Sequence, residues 1–363
     1  MIPFFGCKQE YADDVWEYQR ITNEVLSTGQ WLQGDPIRQL EETLGTKYSR
    51  HCVAVNSCTD ALFFALKALG IGPGDEVLVP TFSFVATASC ILRAGATPVF
   101  VSVNEDTGLI DIAQAMSLVS DKTKAMIFVH LYGNMVSYED IQYFRNAHPE
   151  VALIEDAAQA LGSYLMLESG DYVYAGQIGD ISCFSFDPTK TVPAPGSGGA
   201  LLTEDEDLAA KCRSLRYHGA AEGVFYGLGY NSQMSSLTAA ILNYKLTKQP
   251  IWDATRHGIA RQYKREIDAC FMRMTHGCVS NYHKFVIVVH RRWAFMEEMR
   301  LCGVETKAHY HYSLDQLPAF GGELIGGRYL PDHVVSLPIY PQLTTTEVGI
   351  IIDRTNETLL KLQ

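Results

Sequence analysis

His51-Cys-Val-Ala-Val-Asn-Ser-Cys-Thr-Asp-Ala-Leu-Phe-Phe-Ala-Leu-Lys-Ala-Leu-Gly70 decides the fold. A short apolar run, His51 to Asn56, ends in small hydroxyl residues. Thr59 to Gly70 then carries apolar residues at helical spacing before a terminating glycine. The same alternation of strand and helix repeats downstream. Glu76 to Pro80 precedes a helix near Phe84 to Arg93, and Thr97 to Val103, Lys124 to His130 and Val151 to Glu155 are further strand-like runs. Strands that are apolar along their whole length need cover on both faces, so the spacing predicts an α/β fold with a mixed, mostly parallel sheet between helices. Ile181 to Phe186 and Gly199 to Thr203 add strands with no long helix between them.

Near Lys245 to Gln249 the pattern changes. A helix over roughly 252–270, a strand at Lys284 to His290, a helix at Arg291 to Cys302 and a terminal helix over 345–360 read as a smaller α+β unit. The expected domains are therefore residues 13–247 and 248–363, with residues 1–12 packing on the second.

Composition narrows the function classes. The 363 residues are 47% hydrophobic and 19% charged, which suits a globular enzyme and not a disordered chain. A net charge of −12 argues against general binding to nucleic acid or to membrane surfaces. Nine cysteines, scattered singly without a C-x-x-C pair, predict buried reduced thiols in a cytoplasmic protein, with neither a disulfide framework nor a metal site. The N-terminal residues lack a signal-peptide pattern, and no apolar run approaches a membrane span.

The chemistry starts from Lys190, thirty-four residues after Asp156. A lysine can hold an aldehyde as a Schiff base, while an aspartate keeps a pyridine nitrogen protonated, and together they suggest pyridoxal phosphate. Alone, Lys190 reads as a surface charge and Asp156 as a solvent-facing acid at a strand end. Asp156 follows an apolar strand, at the end where open α/β sheets bind ligands. Gln159 stands three residues on, within reach of a ring hydroxyl. Ser57-Cys-Thr59 opens a helix, where free N–H groups favour a phosphate, although simple capping explains these residues equally well.

Taken with Gly72-Pro-Gly-Asp-Glu-Val77, Pro80-Thr-Phe-Ser-Phe84, Glu155-Asp-Ala-Ala-Gln159, Ser185-Phe-Asp-Pro-Thr-Lys190, Arg216-Tyr-His-Gly219 and Gly229-Tyr-Asn231, nearly the whole chain resembles the DegT/DnrJ/EryC1/StrS family of sugar aminotransferases dependent on pyridoxal 5′-phosphate. The resemblance implies the type I, aspartate aminotransferase-like fold, with a seven-stranded sheet. It implies that Lys190 carries the cofactor aldehyde and then moves the proton, that Asp156 binds the ring nitrogen and Gln159 the ring oxygen, and that Phe84 stacks on the ring. Cys58, Thr59 and Ser185 would hold the phosphate, and Asn231 would reach the phosphate of a neighbouring subunit, making a homodimer with shared sites. His309, Tyr310 and His311, where His-Tyr-Pro is commoner, fall near the expected substrate loop.

The implied reaction is ping-pong transfer of an amino group from L-glutamate, leaving 2-oxoglutarate, to a nucleotide-diphosphate ketosugar, for surface polysaccharide or a glycosylated product. Thr59 to Leu62 and the step from Lys190 to Gly196 lean towards a 3-keto over a 4-keto sugar. Two departures stand out: Cys58 replaces the usual glycine, which predicts an altered turn, and Gln233 replaces an arginine. A deoxysugar dehydratase and a non-catalytic regulatory or scaffold relative are the alternatives. Dehydratase relatives carry histidine in place of the lysine, whereas this chain keeps Lys190.

Overall fold

Among the residues that the computed structural model describes, 1–322 and 329–362, seven strands build the central sheet. These are β1 (His51–Val55), β2 (Glu76–Pro80), β3 (Thr97–Val101), β4 (Thr123–Val129), β5 (Ala152–Asp156), β6 (Ile181–Ser185) and β7 (Gly199–Thr203). Their order is β1-β7-β6-β5-β4-β2-β3. Strands β2 to β6 pair in parallel, and β7 runs antiparallel to both β1 and β6. The two strands without a long helix between them, β6 and β7, are thus the antiparallel pair, because a short connection cannot make a parallel crossover.

Alternate residues of each strand face two separate cores. Cys52, Ala54, Met126, Phe128 and Leu153 point to one, and Val53, Val55, Ala125, Ile127 and Ile154 to the other. Helix α1 (Asp35–Tyr48) covers the first with Ile37, Leu40, Leu44 and Tyr48. Helices α2 (Cys58–Ala68) and α3 (Ala86–Ala94) cover the second. Both faces are filled, which is why the strands read as unbroken apolar runs.

A 31-residue helix, α4 (Ser236–Glu266), leaves this sandwich. It starts 16 residues before the expected 252 and ends earlier than 270, and the expected domain boundary at 247/248 falls inside it. The apolar stripe is concealed in the sequence because Lys245 and Gln249 are buried polar residues. Lys245 pairs with Glu10 at 2.6 Å, and Gln249 accepts from Lys47 at 2.8 Å.

Beyond α4, β8 (Cys270–Phe271), β9 (Phe285–Val288) and β10 (Val334–Leu337) form an antiparallel sheet in that order. Helices α5 (Arg292–Leu301) and α6 (Thr345–Leu362) close a third core around Ile287, Phe295, Met299, Val335 and Ile351. Ile2 joins this core and bridges to Val304. All nine cysteines are free, but Cys7, Cys270 and Cys302 are exposed, so uniform burial was too broad an expectation. Among the described residues no helix is long and apolar enough to cross a membrane. The C-terminal ends of β1, β2, β5 and β6 share one edge of the sheet with the start of β7, and the candidate site residues gather there.

Candidate active site

A cavity of about 400 Å³ opens at that edge, lined by Cys58, Thr59, Phe84, Asp156, Gln159, Ser185, Lys190, His309 and Tyr310 among others. At its floor Ser57 caps α2, its Oγ accepting from the Asp60 N–H at 3.1 Å. The first-turn N–H groups of a helix have no intrahelical acceptor, so this start is suited to an anion. Gly199, first residue of β7, crosses so close behind it that a Cβ would lie 2.4 Å from the Ser57 carbonyl carbon and 2.5 Å from the Cys58 nitrogen. Only glycine fits. Cys58 itself is buried at the first position of α2 and is not among the positive-φ residues, so the backbone there accepts a side chain. Ser185, at the end of β6, completes this side, its Oγ accepting from the Asp187 N–H at 3.3 Å.

Asp156 ends β5 and is 3% exposed. Its Oδ2 accepts from Thr87 Oγ1 at 2.8 Å and its Oδ1 from the Ala158 N–H at 3.1 Å. Burial pushes the carboxyl above its ordinary value, while Thr87, Ala158 and the Lys190 charge pull against that rise. A carboxylate short of partners in a buried pocket is a strong acceptor for a cationic ring N–H. Gln159 is buried beside it, with Oε1 accepting from the Tyr132 N–H at 2.9 Å and Nε2 donating to the Tyr310 hydroxyl at 3.0 Å.

Lys190 lies beyond β6, after the turn Asp187 to Thr189, with its own N–H donating to the Asp187 carbonyl. Burial lowers its amine below the ordinary lysine value, and Cys58, Asp156 and Asp187 oppose that. A depressed amine has a larger neutral fraction at physiological pH, which attack on an aldehyde requires.

The remaining expected residues divide. Phe84 is half exposed and packs its ring 6.0 Å from that of Tyr310, at the cavity wall. His309 lines the cavity and is held by Ser336 Oγ at 2.9 Å, and burial together with Lys284 and Lys190 drives its imidazole well below the ordinary value. His311 turns away: it is exposed and stacks on Trp293 at 5.1 Å. Asn231 is exposed and bridges to Tyr217, outside the cavity lining of its own chain.

Several functional positions escaped the sequence reading. Thr87 fixes Asp156 across 69 positions of chain. Glu155, pointing to the opposite face of β5, is fully buried and ties the turn at Gly176 to Gly179 to His130. His283, Lys284 and Lys307 line the same cavity from the second sheet's side. The one signal for Lys284 was a lysine opening an otherwise apolar strand, Phe285-Val-Ile-Val288.

Comparison with known proteins bears on this geometry. Residues 13–356 match the DegT/DnrJ/EryC1/StrS aminotransferase family. The chain belongs to that family. Its relatives include a UDP-N-acetyl-3-dehydro-alpha-D-glucosamine 3-aminotransferase of Acidithiobacillus ferrooxidans, 34% identical with 99% of this chain and 98% of the relative covered. A pleiotropic regulatory protein of Geobacillus stearothermophilus is also 34% identical, covering 98% of each. The solved structure of S. venezuelae DesV in complex with a ketimine intermediate superposes with a TM-score of 0.92 at 30% identity, covering 98% of both chains. The aminotransferase uses pyridoxal 5′-phosphate. The residues present fit it: a glycine-tight helix start for a phosphate, an under-partnered buried carboxylate for a ring nitrogen, and a depressed lysine amine for an aldehyde.

Proposed function

We propose that this aminotransferase moves an amino group from L-glutamate to a nucleotide-linked 3-ketosugar, working as a homodimer in the cytoplasm. The observation that carries the reading is that Lys190, Asp156, Gln159 and the Ser57–Thr59 helix start line one cavity, although they come from three separate stretches of chain. When bound, pyridoxal phosphate supplies an electron sink for the pair left as a substrate C–H bond breaks. Lys190 takes that proton at Nζ and returns it in each half of the reaction. Asp156 holds a positive ring nitrogen through its carboxylate. Gln159 orients the ring oxygen, Phe84 covers the ring, and Cys58, Thr59 and Ser185 hold the phosphate. Asn231, exposed on its own chain, serves the neighbouring subunit's phosphate, and His309 and Tyr310 border the sugar.

Carbon 3 is favoured by the sequence around Thr59 to Leu62 and by the 3-aminotransferase name of the A. ferrooxidans relative. The regulatory name of the G. stearothermophilus relative makes a non-catalytic role the second reading. Retention of Lys190 with Asp156 and Gln159 in one cavity supports the enzyme. The test is Lys190→Ala with pyridoxal phosphate, L-glutamate and matched 3-keto and 4-keto nucleotide sugars. We expect loss of the lysine-bound cofactor's visible absorbance and of turnover by at least about 10³-fold, in line with removal of a covalent and acid–base group. Full turnover in the variant sinks the proposal, and NMR of the wild-type product identifies the carbon aminated.

A further inference from the structure

The cavity that receives substrate contains three cationic side chains among the described residues, Lys190, Lys284 and Lys307, and no arginine. On the reading above, the Lys190 amine is committed to the cofactor. An amino-acid donor nevertheless brings in a carboxylate that must be desolvated, and burying it without a positive partner costs several kcal/mol or more.

Lys284 is placed to meet it. The residue immediately precedes β9, is 5% exposed, and has no ion-pair partner among the described residues. Its Nζ lies 3.4 Å from the carbonyl oxygen of Thr189, the residue before Lys190. It also sits 4.7 Å from the centroid of the Phe5 ring, and Lys307 Nζ rests over the same ring at 5.1 Å. Lys307 approaches Glu305 at 3.4 Å, but that pair is well exposed, so its charge remains largely available. The other titratable groups that share a cavity with Lys284 include His283, His309, Asp156 and Asp187 on the substrate side, and Cys7, Glu10, Arg256 and Tyr340 in a second cavity behind it. Arg256, which repels it, lies outside the substrate cavity, bonded to Thr191 and near Asp253.

We propose that Lys284, assisted by Lys307, forms the subsite for the α-carboxylate of the amino donor; this rests on the aminotransferase reading and assigns how its first substrate is held. In any α-amino acid the carboxylate is one carbon from the carbon that bears the amine. An anion on Lys284, whose Nζ lies beside the carbonyl oxygen of the residue preceding Lys190, therefore brings that amine towards the Lys190 end of the cavity. Burial, with the neighbouring positive charges of Lys190, Arg256 and Lys307, pushes the Lys284 ammonium well down, and an arriving carboxylate favours its charged form. Gln233, which replaces the family's frequent arginine, offers no charge: it is bonded to Gln33 at 2.6 Å, outside the cavity.

The test measures donor-driven amination of the cofactor by stopped-flow absorbance in the holoenzyme, using whichever of L-glutamate, L-glutamine and L-aspartate reacts fastest with wild type. Lys284→Met is expected to raise the half-saturating donor concentration by about 10- to 100-fold, the value of one charge-assisted hydrogen bond, and to alter the limiting rate much less. Lys284→Arg should recover most of that loss. Glutarate, a dicarboxylate without an amine, should bind wild-type holoenzyme in calorimetry and bind Lys284→Met more weakly by a similar factor. Removal of an unpaired buried charge leaves the variant able to fold, and Lys307→Met gives a second, smaller effect in the same direction. A donor half-saturation in Lys284→Met within about twofold of wild type overturns the inference alone. Failure of wild type to be aminated by any donor overturns the proposed function and the inference with it.

Discussion

Replacing Glu155 by glutamine probes the carboxylate that holds the back of the site together. Glu155 Oε1 accepts from His130 Nε2 at 2.9 Å and from the Gly176 N–H at 2.5 Å. Its Oε2 accepts from the N–H groups of Ile178 and Gly179 at 2.9 and 3.0 Å, and from Ser182 Oγ at 2.7 Å. His130 cannot change tautomer freely, because its Nδ1 accepts from the Val136 N–H at 3.1 Å. Whichever oxygen becomes an amide nitrogen, at least two buried donors then face another donor. At about 1–3 kcal/mol for each orphaned group, the loss is about 2–6 kcal/mol.

Proton linkage gives an independent magnitude. Burial pushes the Glu155 carboxyl up, but the bonds from His130, Ser182 and Gly176 outweigh it and bring it from the ordinary 4.5 to about 2. A depression of that size is worth about 3 kcal/mol. Because the folded value is the lower one, this stability is present in full above the unfolded value and is lost as pH falls through the folded one. We therefore expect Glu155→Gln to lower unfolding free energy by about 3 kcal/mol at pH 7, with the gap from wild type narrowing as pH drops from about 5 towards 2. Urea unfolding followed by circular dichroism, with and without cofactor, measures it. A difference below about 1 kcal/mol at pH 7, or a gap that does not change with pH, refutes the reasoning.

Two further outcomes follow from the same geometry. Thr87→Val removes the hydroxyl that donates to Asp156 and frees burial to push that carboxyl higher, so the acid limb of the kcat/KM profile should move to higher pH; an unmoved limb counts against Thr87 as the group positioning Asp156. Subunits carrying Lys190→Ala and Asn231→Ala, each nearly inactive alone, should regain roughly a quarter of wild-type activity on mixing, since half the dimers then have one intact shared site; no recovery excludes a role for Asn231 across the interface.

Much of the fold was legible because its signals are local. Unbroken apolar runs ending in small residues, with helical spacing after them, place β1 and α2 and their repeats without any long-range knowledge. The residues with chemical signatures, Lys190, Asp156 and Gln159, were equally visible, since each follows a strand end where ligands bind. Helix α4 was misjudged at its start because Lys245 and Gln249 are buried through partners at Glu10 and Lys47, roughly 200 residues away in the chain. His311 was grouped with His309 by adjacency, yet neighbouring side chains at a chain bend diverge, and His311 stacks outward on Trp293.

By itself, then, the sequence determined the layered sheet, its helices and the lysine–aspartate pair, because periodicity, caps and strand ends are properties of a few consecutive residues. Only the tertiary structure decided which polar groups surround that pair. Thr87 reaches Asp156 from helix α3, Glu155 gathers donors from a turn 21 to 24 residues on, and Lys284 reaches the carbonyl of Thr189, next to Lys190, from the start of a different sheet. Those contacts depend on how helices and turns pack on the central sheet and, for Lys284, on how the second sheet sits beside it. Charge and hydrogen bonding act through distance in space, and spacing along the chain does not encode that distance.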